Sequence, residues 1–195
     1  MDDFITVDDL AAFMGLEDLD DVQGPLAVAA AMAVIRNYMQ QEITLHEDDV
    51  EYPTVPWGYR RFRLRQRPVR AVTEVKVGAQ VLDETTDWVL RNSTVVLTTP
   101  PWFEDVQVTY DHGWDAVDPI TDPVPADIIR VALTVARRAY GGALSAGDEQ
   151  PYRSETIGSY SYMREGSSTA SSASGASMTE SEMETLDWYV IRLAV

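Results

Sequence analysis

The chain has 195 residues, which is enough for one domain with a substantial core, and its hydrophobic fraction of 45% is ordinary for a globular protein. With no cysteine and only two histidines, the composition excludes disulfides, thiolate chemistry and a histidine-rich metal site. The formal net charge of -17 disfavours a nucleic-acid-binding protein, because such a chain repels phosphate at long range. The N-terminal MDDFITVDDL lacks the pattern of a signal peptide, and the longest apolar run, residues 26–35, is too short to span a bilayer. We therefore expect a soluble protein made in a cytoplasm.

Three helices are predicted in the body, from capping residues or prolines at their starts and from glycines at the ends of the first and third. Their expected ranges are 8–14, 25–40 and 126–140. The second helix is apolar all round over LAVAAAMAVI, which predicts burial on several faces or packing between subunits. The third helix is followed by Gly141 and Gly142, which are expected to end it.

Between the second and third helices the sequence changes to the period of two that is typical of β-strands. The segment 43–114 contains β-branched and aromatic runs such as RFRLR, VTEVKV, TVVLTT and DVQVTY, separated by turn residues. We predict an antiparallel sheet of roughly four to six short strands. The fold class is therefore α+β, with a helical body and an inserted antiparallel sheet.

The C-terminal part of the chain departs from a compact domain. After a body over residues 1–150, we expect an extended arm over 151–165, in which RSETIGSYSYMR has the alternation of a strand. A serine-rich tether over 166–178 cannot build a core of its own. A terminal helix over 179–195, called the hook, follows and carries apolar residues at helical spacing.

The most unusual local feature is a row of alternating arginines in one predicted strand. Their side chains are expected to share one face, because successive side chains of a strand point to opposite sides. These arginines are Arg61, Arg63, Arg65 and Arg67. The alternatives are a solvated face and a strand that binds nucleic acid. We favour pairing with carboxylates of a neighbouring subunit, because guanidinium makes bidentate bonds and tolerates partial burial.

Apolar and aromatic side chains of the arm and hook are a second set of interface candidates. Those of the arm either belong to an edge strand of the core or join the sheet of a partner. Those of the hook are costly to leave in water, so they must fold back on the body or dock elsewhere. The candidates are Ile157, Tyr160, Tyr162, Trp188, Tyr189, Ile191 and Leu193.

No residue pattern indicates catalysis or a cofactor. His46 and His112 are isolated in the sequence, and a structural role for His112 is the better interpretation. The acidic run 47–49 lacks the spacing and glycine of an EF-hand loop, so no metal is assigned. Nucleotide-binding and hydrolase motifs are missing from the sequence. We expect a protein that is not an enzyme and has no cofactor.

Several segments, in this order, resemble the head–tail connectors (adaptors) of tailed bacteriophages, especially those of actinobacteriophages. The resemblance is carried by TVDDLAAFMGL, RLRQRPVRAVTEVKV, VTYDHGWDAVDPITDPVPADIIRVALTVARRAY, RSETIGSYSY and TESEMETLDWY. It implies an α+β body whose helices form the wall of a ring, a location in the virion neck below the portal, and no catalytic residues.

The resemblance also implies the partners. They are about twelve copies of the chain itself in a ring, the portal protein, a stopper or other neck protein, and double-stranded DNA that passes through without sequence-specific binding. The alternatives are another neck protein (a stopper or tail terminator, which we expect to be mainly β), a metal- or carbohydrate-binding β domain, and a DNA-binding assembly factor that uses the arginine row.

Overall fold

The computed structural model describes residues 3–101, 105–115, 123–147, 155–157, 160–162 and 176–190, with side chains described over 3–101, 105–115, 123–142 and 176–190. The helices are α1 (Val7–Met14), α2 (Gln23–Met39), α3 (Ala126–Gly147) and α4 (Glu180–Leu186). The strands are β1 (His46–Glu51), β2 (Arg61–Arg63), β3 (Val69–Val77), β4 (Gln80–Val81), β5 (Trp88–Arg91), β6 (Thr94–Leu97), β7 (Val106–His112), β8 (Glu155–Ile157) and β9 (Tyr160–Tyr162). The predicted α+β class is confirmed. None of the helices in the described ranges has the length and apolar character needed to cross a membrane.

The chain divides into two compact units. The helix unit comprises Ile5–Ile35 and Asp127–Thr185. The sheet unit comprises Met1–Phe4, Arg36–Ala126 and Leu186–Val195. Each unit is described separately below.

In the helix unit, local capping chemistry sets the ends of α1. The Asp9 backbone N–H donates to the Thr6 hydroxyl oxygen at 3.1 Å, and the Thr6 N–H donates to the Asp9 carboxylate at 2.8 Å. This reciprocal pair satisfies amides that the first turn leaves without a partner. The helix stops at Gly15, whose φ of 70° is the left-handed conformation that glycine adopts without strain.

Of the two long helices of this unit, α2 is buried along one stripe and α3 is longer than predicted. In α2, the buried side chains follow helical spacing and lie in one stripe, whereas Leu26 is 59% exposed. Alanines make up much of the rest of its surface, and they lose little free energy when they face water. Helix α3 continues through Gly141 and Gly142 to Gly147 instead of ending at 140. Glycine costs only about 1 kcal/mol in a helix, and neither residue takes the left-handed conformation that ends one.

In the sheet unit, the strands form two antiparallel sheets rather than the single predicted one. One has the strand order β1-β7-β3-β4 and the other β2-β6-β5. Strand β7 alternates between buried and half-buried side chains along its whole length. Apolar residues of both sheets share one core: Phe62, Leu64, Val75, Trp88, Val95, Leu97, Val106, Val108 and Tyr110. Two sheets arise because each buries one face by packing on the other.

The predicted arm contains two strands rather than one. Strands β8 and β9 pair with each other in antiparallel register, with Glu155 opposite Tyr162. This pairing satisfies backbone groups along one edge of each strand. The predicted tether lies outside the described residues except for 176–178.

Candidate functional site

The sheet unit exposes a group of cationic and aromatic side chains on β2, in the loop before it and just after its end. We call this group the arginine–aromatic surface. Its members are Trp57, Tyr59, Arg61, Arg63 and Arg65. Trp57 is 71% exposed and Tyr59 is 58% exposed, so two of the largest side chains of the chain stand mostly in solvent.

A tight turn positions the aromatic half of this surface. The Tyr59 N–H donates to the Pro56 carbonyl oxygen at 3.0 Å, and Gly58 between them has a φ of 77°. Pro56 is the first residue of this β-turn and Gly58 is the third, and a positive φ at the third position is what the type II conformation requires and glycine adopts without strain. Trp57 and Tyr59 therefore sit on a fixed turn next to β2.

Strand β2 positions the cationic half. It pairs with β6, with Arg61 opposite Val96 and Arg63 opposite Thr94. Phe62 lies between the two arginines and is buried, while both arginines are exposed, as strand alternation requires. No described carboxylate lies within ion-pair distance of Arg61, Arg63 or Arg65.

A buried polar network fixes the chain just after β2. The Tyr110 hydroxyl donates to the Glu51 carboxylate at 2.6 Å and accepts the Gln66 backbone N–H at 3.2 Å. The same Glu51 oxygen accepts the Arg65 N–H at 3.0 Å. Burial, followed by the hydrogen bond to Glu51, raises the pKa of Tyr110 far above its usual range. The network therefore holds a neutral tyrosine under the backbone that carries Arg65.

Arg67 does not continue the exposed row. Strand β2 ends at Arg63, so its alternation does not extend to residue 67. The Nε and Nη2 atoms of Arg67 are buried without a hydrogen-bond partner, and the side chain lines a cavity. Of the four arginines predicted to share one face, Arg61 and Arg63 do so on β2, Arg65 is exposed beyond the end of the strand, and Arg67 is partly buried.

Residues 186–190 of the hook belong to the sheet unit and pack within it, with one exception. The Gln41 side-chain N–H donates to the Tyr189 carbonyl oxygen at 2.8 Å, and the Tyr38 hydroxyl donates to the Asp187 carboxylate at 2.6 Å. The Tyr189 ring meets Trp114 edge-on, with ring centres 6.1 Å apart. Trp188 is the exception, because it is 90% exposed.

The remaining sequence candidates fall at or beyond the limits of the described residues. Ile191 and Leu193 of the hook lie outside them. The backbones of Ile157, Tyr160 and Tyr162 belong to β8 and β9, but their side chains lie outside the described part of the chain.

The histidine pair of the sequence lies on the two strands β1 and β7. His112 is buried, and its Nε2 lies 3.2 Å from an Asp49 carboxylate oxygen. Burial lowers the pKa of His112 despite the neighbouring carboxylate. The ring of His46 lies 5.6 Å away, centre to centre. Within the described ranges, no group of three potential ligands could hold a metal ion. The arrangement places a neutral imidazole between two strands, as expected of a structural histidine.

The arginine–aromatic surface has side chains that are suited to binding another molecule without any chemical reaction. Tryptophan, tyrosine and arginine are the residue types that contribute most to protein–protein binding. Exposed guanidinium groups on a rigid strand offer paired N–H donors to carboxylates. Sequence reasoning found the arginines but gave little weight to the turn that presents Trp57 and Tyr59, although its Pro-Trp-Gly-Tyr order is visible in the sequence.

The fold is similar to that of a chain in a particle neck. The chain superimposes on a protein of the "neck of native GTA particle computed with C12 symmetry", where GTA denotes a gene transfer agent, with a TM-score of 0.50. The two sequences are 16% identical, and the match covers 69% of this chain and 78% of the other. No family model and no curated protein matches the sequence. The comparison therefore concerns the fold.

Proposed function

We propose that this chain is a structural, non-enzymatic subunit of the neck of a tailed phage or phage-like particle, and specifically a head–tail connector (adaptor). The similarity of its fold to a GTA neck chain carries the proposal. The arginine–aromatic surface supports it, because a rigid exposed set of this composition suits a permanent protein interface. The location that follows is the virion neck, below the portal.

A ring is the assembly that fits these observations best. The similar chain belongs to a particle neck computed with C12 symmetry. In a ring, one surface of each copy meets a different surface of the next, so unlike charges on the two surfaces are complementary. This chain has 32 acidic against 15 basic residues, and three of its arginines are exposed without an acidic partner nearby. We propose that these arginines pair with carboxylates of the next copy or of the portal.

The acidic excess suits a channel that DNA crosses. Twelve copies with a formal charge of -17 each would carry about -204 before ion pairing and screening. A wall of that sign repels phosphate and limits adhesion of double-stranded DNA during passage, with no sequence-specific contact. The portal above and a stopper or other neck protein below complete the proposed set of partners.

The C-terminal candidates are proposed to serve docking as well. In this scheme, the body over 1–150 forms the ring, and the arm over 151–165, the tether over 166–178 and the hook over 179–195 engage neighbours. Trp188 supports this role, because an indole that is 90% exposed gains from burial against another chain.

Measurement of the native mass of the purified protein, alone and mixed with portal rings, tests the proposal. We expect a ring or a portal-bound complex. The double variant Arg63→Glu plus Arg65→Glu should form neither the ring nor the portal-bound complex, and it should keep its thermal stability because both side chains are exposed. Arg91→Glu, an exposed arginine on β5, is the control and should assemble normally. A persistent monomer that ignores the portal would contradict the proposed function.

The alternative within the neck is a stopper or tail terminator, which we expect not to bind the portal directly. Binding to isolated portal rings therefore separates the connector from this alternative. A rival of another class is a DNA-binding assembly factor that uses the arginine–aromatic surface. A salt-dependent shift of duplex DNA that is lost in the Arg63→Glu plus Arg65→Glu variant would favour the rival.

A further inference from the structure

A short segment of the helix unit presents acidic side chains to solvent. Residues 16–22, between α1 and α2, contain four acids and no base, and we call this segment the acidic loop. Asp20 is engaged, because its carboxylate accepts two backbone N–H groups at the start of α2, at 3.0 and 2.8 Å. The other three acids are exposed and have no partner among the described residues. They are Glu17, Asp18 and Asp21.

Backbone hydrogen bonds hold the acidic loop in place. The Leu16 N–H donates to the Ala11 carbonyl oxygen at 3.0 Å, where α1 ends. The Asp20 N–H donates to the Tyr140 hydroxyl at 3.1 Å, and the Gly24 N–H donates to the Asp20 carbonyl oxygen at 2.9 Å. The loop backbone is therefore fixed before any partner arrives, and binding through its acids orders side chains only, which limits the loss of entropy.

Large apolar side chains flank the free acids. Leu16 is 45% exposed and Val22 is 63% exposed. Both lose contact with water when they pack against another apolar or aromatic surface, which is favourable. The acidic loop thus combines free carboxylates with apolar contacts.

The arginine–aromatic surface is complementary to the acidic loop in both respects. Arg61 and Arg63 are two positions apart on the exposed face of β2, so their Cα atoms are about 7 Å apart and each guanidinium can reach a different carboxylate. Neither they nor Arg65 have a described carboxylate within ion-pair distance. The exposed rings of Trp57 and Tyr59 offer apolar area beside these cations.

A second acidic run, residues 47–51 of the sheet unit, offers fewer free carboxylates. Three of its four acids contact polar side chains of the same unit. These contacts are Asp48 with Thr73, Asp49 with His112, and Glu51 with Tyr110. Pairing such acids with a neighbouring copy would compete with contacts that already exist, whereas the free acids of the acidic loop have none to lose among the described residues.

We propose that the acidic loop of one copy binds the arginine–aromatic surface of the next copy. The proposal rests on the proposed ring and names the partner of that surface. In this contact, the free carboxylates pair with the guanidinium groups, and Leu16 and Val22 pack against the aromatic rings. Because the two surfaces differ, each contact leaves one of each kind free for another copy, and such head-to-tail contacts form a ring when the rotation between copies closes.

A charge swap tests the proposal, with the mass of the assemblies of full-length protein measured by analytical ultracentrifugation, alone and with portal rings. The cation variant is Arg63→Glu plus Arg65→Glu, and the acid variant is Glu17→Arg plus Asp18→Arg. Each should weaken association between copies at least about a hundredfold, because like charges then face each other across the contact. Thermal unfolding of both should match that of the unmodified protein, because all four side chains are exposed.

Mixing the two variants should restore assembly. In an equimolar mixture, every acidic loop finds a surface of opposite charge on the other variant, so alternating assemblies with a one-to-one ratio are expected. One chain that carries all four substitutions should also assemble with itself, because its charges are complementary in the reverse sense. Either rescue shows that the substituted chains are folded.

The control is Glu47→Arg plus Glu84→Arg, which replaces two exposed glutamates of the sheet unit. It changes the net charge by the same amount as the acid variant and should assemble as the unmodified protein does. Loss of assembly in this control equal to that in the acid variant would overturn the proposal, because the effect would then follow from net charge and not from the acidic loop.

Failure of the contact and failure of the proposed function give different results. Normal assembly of the acid variant, or no rescue in the mixture and in the chain with four substitutions, would overturn the contact. The proposed function stands in both cases if the unmodified protein forms rings or binds the portal, and the arginines then serve another partner. If the unmodified protein does neither, the proposed function fails and the contact fails with it.

Discussion

Replacing Tyr110 by phenylalanine tests how much the hydrogen bonds of the Tyr110 hydroxyl, next to the arginine–aromatic surface, stabilise the protein. Tyr110 is fully buried, and its hydroxyl donates to Glu51 and accepts from Gln66. Tyr110→Phe keeps the ring and leaves no large cavity, so its cost reports mainly on the hydroxyl. A hydrogen bond to a charged group contributes about 1.5–3 kcal/mol, and a buried N–H left without an acceptor costs about 1–3 kcal/mol. We expect a loss of about 3 kcal/mol in the free energy of unfolding at pH 7.

The same variant should show a distinctive pH dependence. The ordinary pKa of a tyrosine is 10.0, and burial with the hydrogen bond to Glu51 raises that of Tyr110 in the folded protein. Above pH 10, the unfolded chain releases this proton while the folded chain keeps it. The stabilisation by Tyr110 is therefore complete below pH 10 and falls by about 1.4 kcal/mol per pH unit above it. The phenylalanine variant has no hydroxyl at this position and therefore lacks this pH-dependent contribution to stability.

Urea unfolding of both proteins at pH 7, 9 and 11 measures the effect. The difference in unfolding free energy between them should be constant from pH 7 to 9 and should shrink by about 1.4 kcal/mol at pH 11. The other tyrosines are common to both proteins and cancel in the difference. A cost below about 1 kcal/mol at pH 7, or a difference that does not change at pH 11, would refute the reasoning, since either requires the hydroxyl to be solvated.

Two further predictions concern glycine geometry and the C-terminal helix. Gly113→Ala should destabilise the protein by more than about 3 kcal/mol in thermal unfolding, because Gly113 has a φ of 91° and a Cβ there collides with the Thr44 carbonyl oxygen. Gly58→Ala is the control, because Gly58 has a φ of 77° but open space around it, and this variant should cost only about 1 kcal/mol. Burial would raise the pKa of Glu182, but hydrogen bonds from Arg138 and Thr179 and the charge of Arg138 outweigh burial and lower that pKa. The stabilisation by Glu182 is therefore present above pH 4.5 and is lost at lower pH, so Glu182→Gln should flatten the fall of the urea midpoint between pH 5 and 3.

The features that were predictable from the sequence depend on neighbouring residues. The start and end of α1 follow from Thr6, Asp9 and Gly15, and each acts within one helical turn. The alternation along β7 and the exposure of Arg61 and Arg63 follow from the period of a strand. In each case, a side chain or backbone group is satisfied within a few residues, so a local pattern suffices.

The features that were not predictable depend on contacts between distant residues. One sheet was predicted over residues 43–114 and two are present there, because strand order is decided by which strands share a core and not by the strands themselves. Arg67 was placed in the exposed row because alternation was extended past the end of β2. Its cavity is built from segments around residues 41, 92, 114 and 188, and no local pattern joins them.

The exposure of the arginine row has a consequence for the proposed ring. Charges in water act at long range but are screened by salt, so Arg61, Arg63 and Arg65 should mainly raise the rate at which copies associate. Neutralising these arginines should therefore weaken the proposed assembly mainly through slower association, and added salt should reduce the difference between the variant and the unmodified protein. In the proposed ring this effect is needed, because repulsion between copies of so acidic a chain slows their encounter.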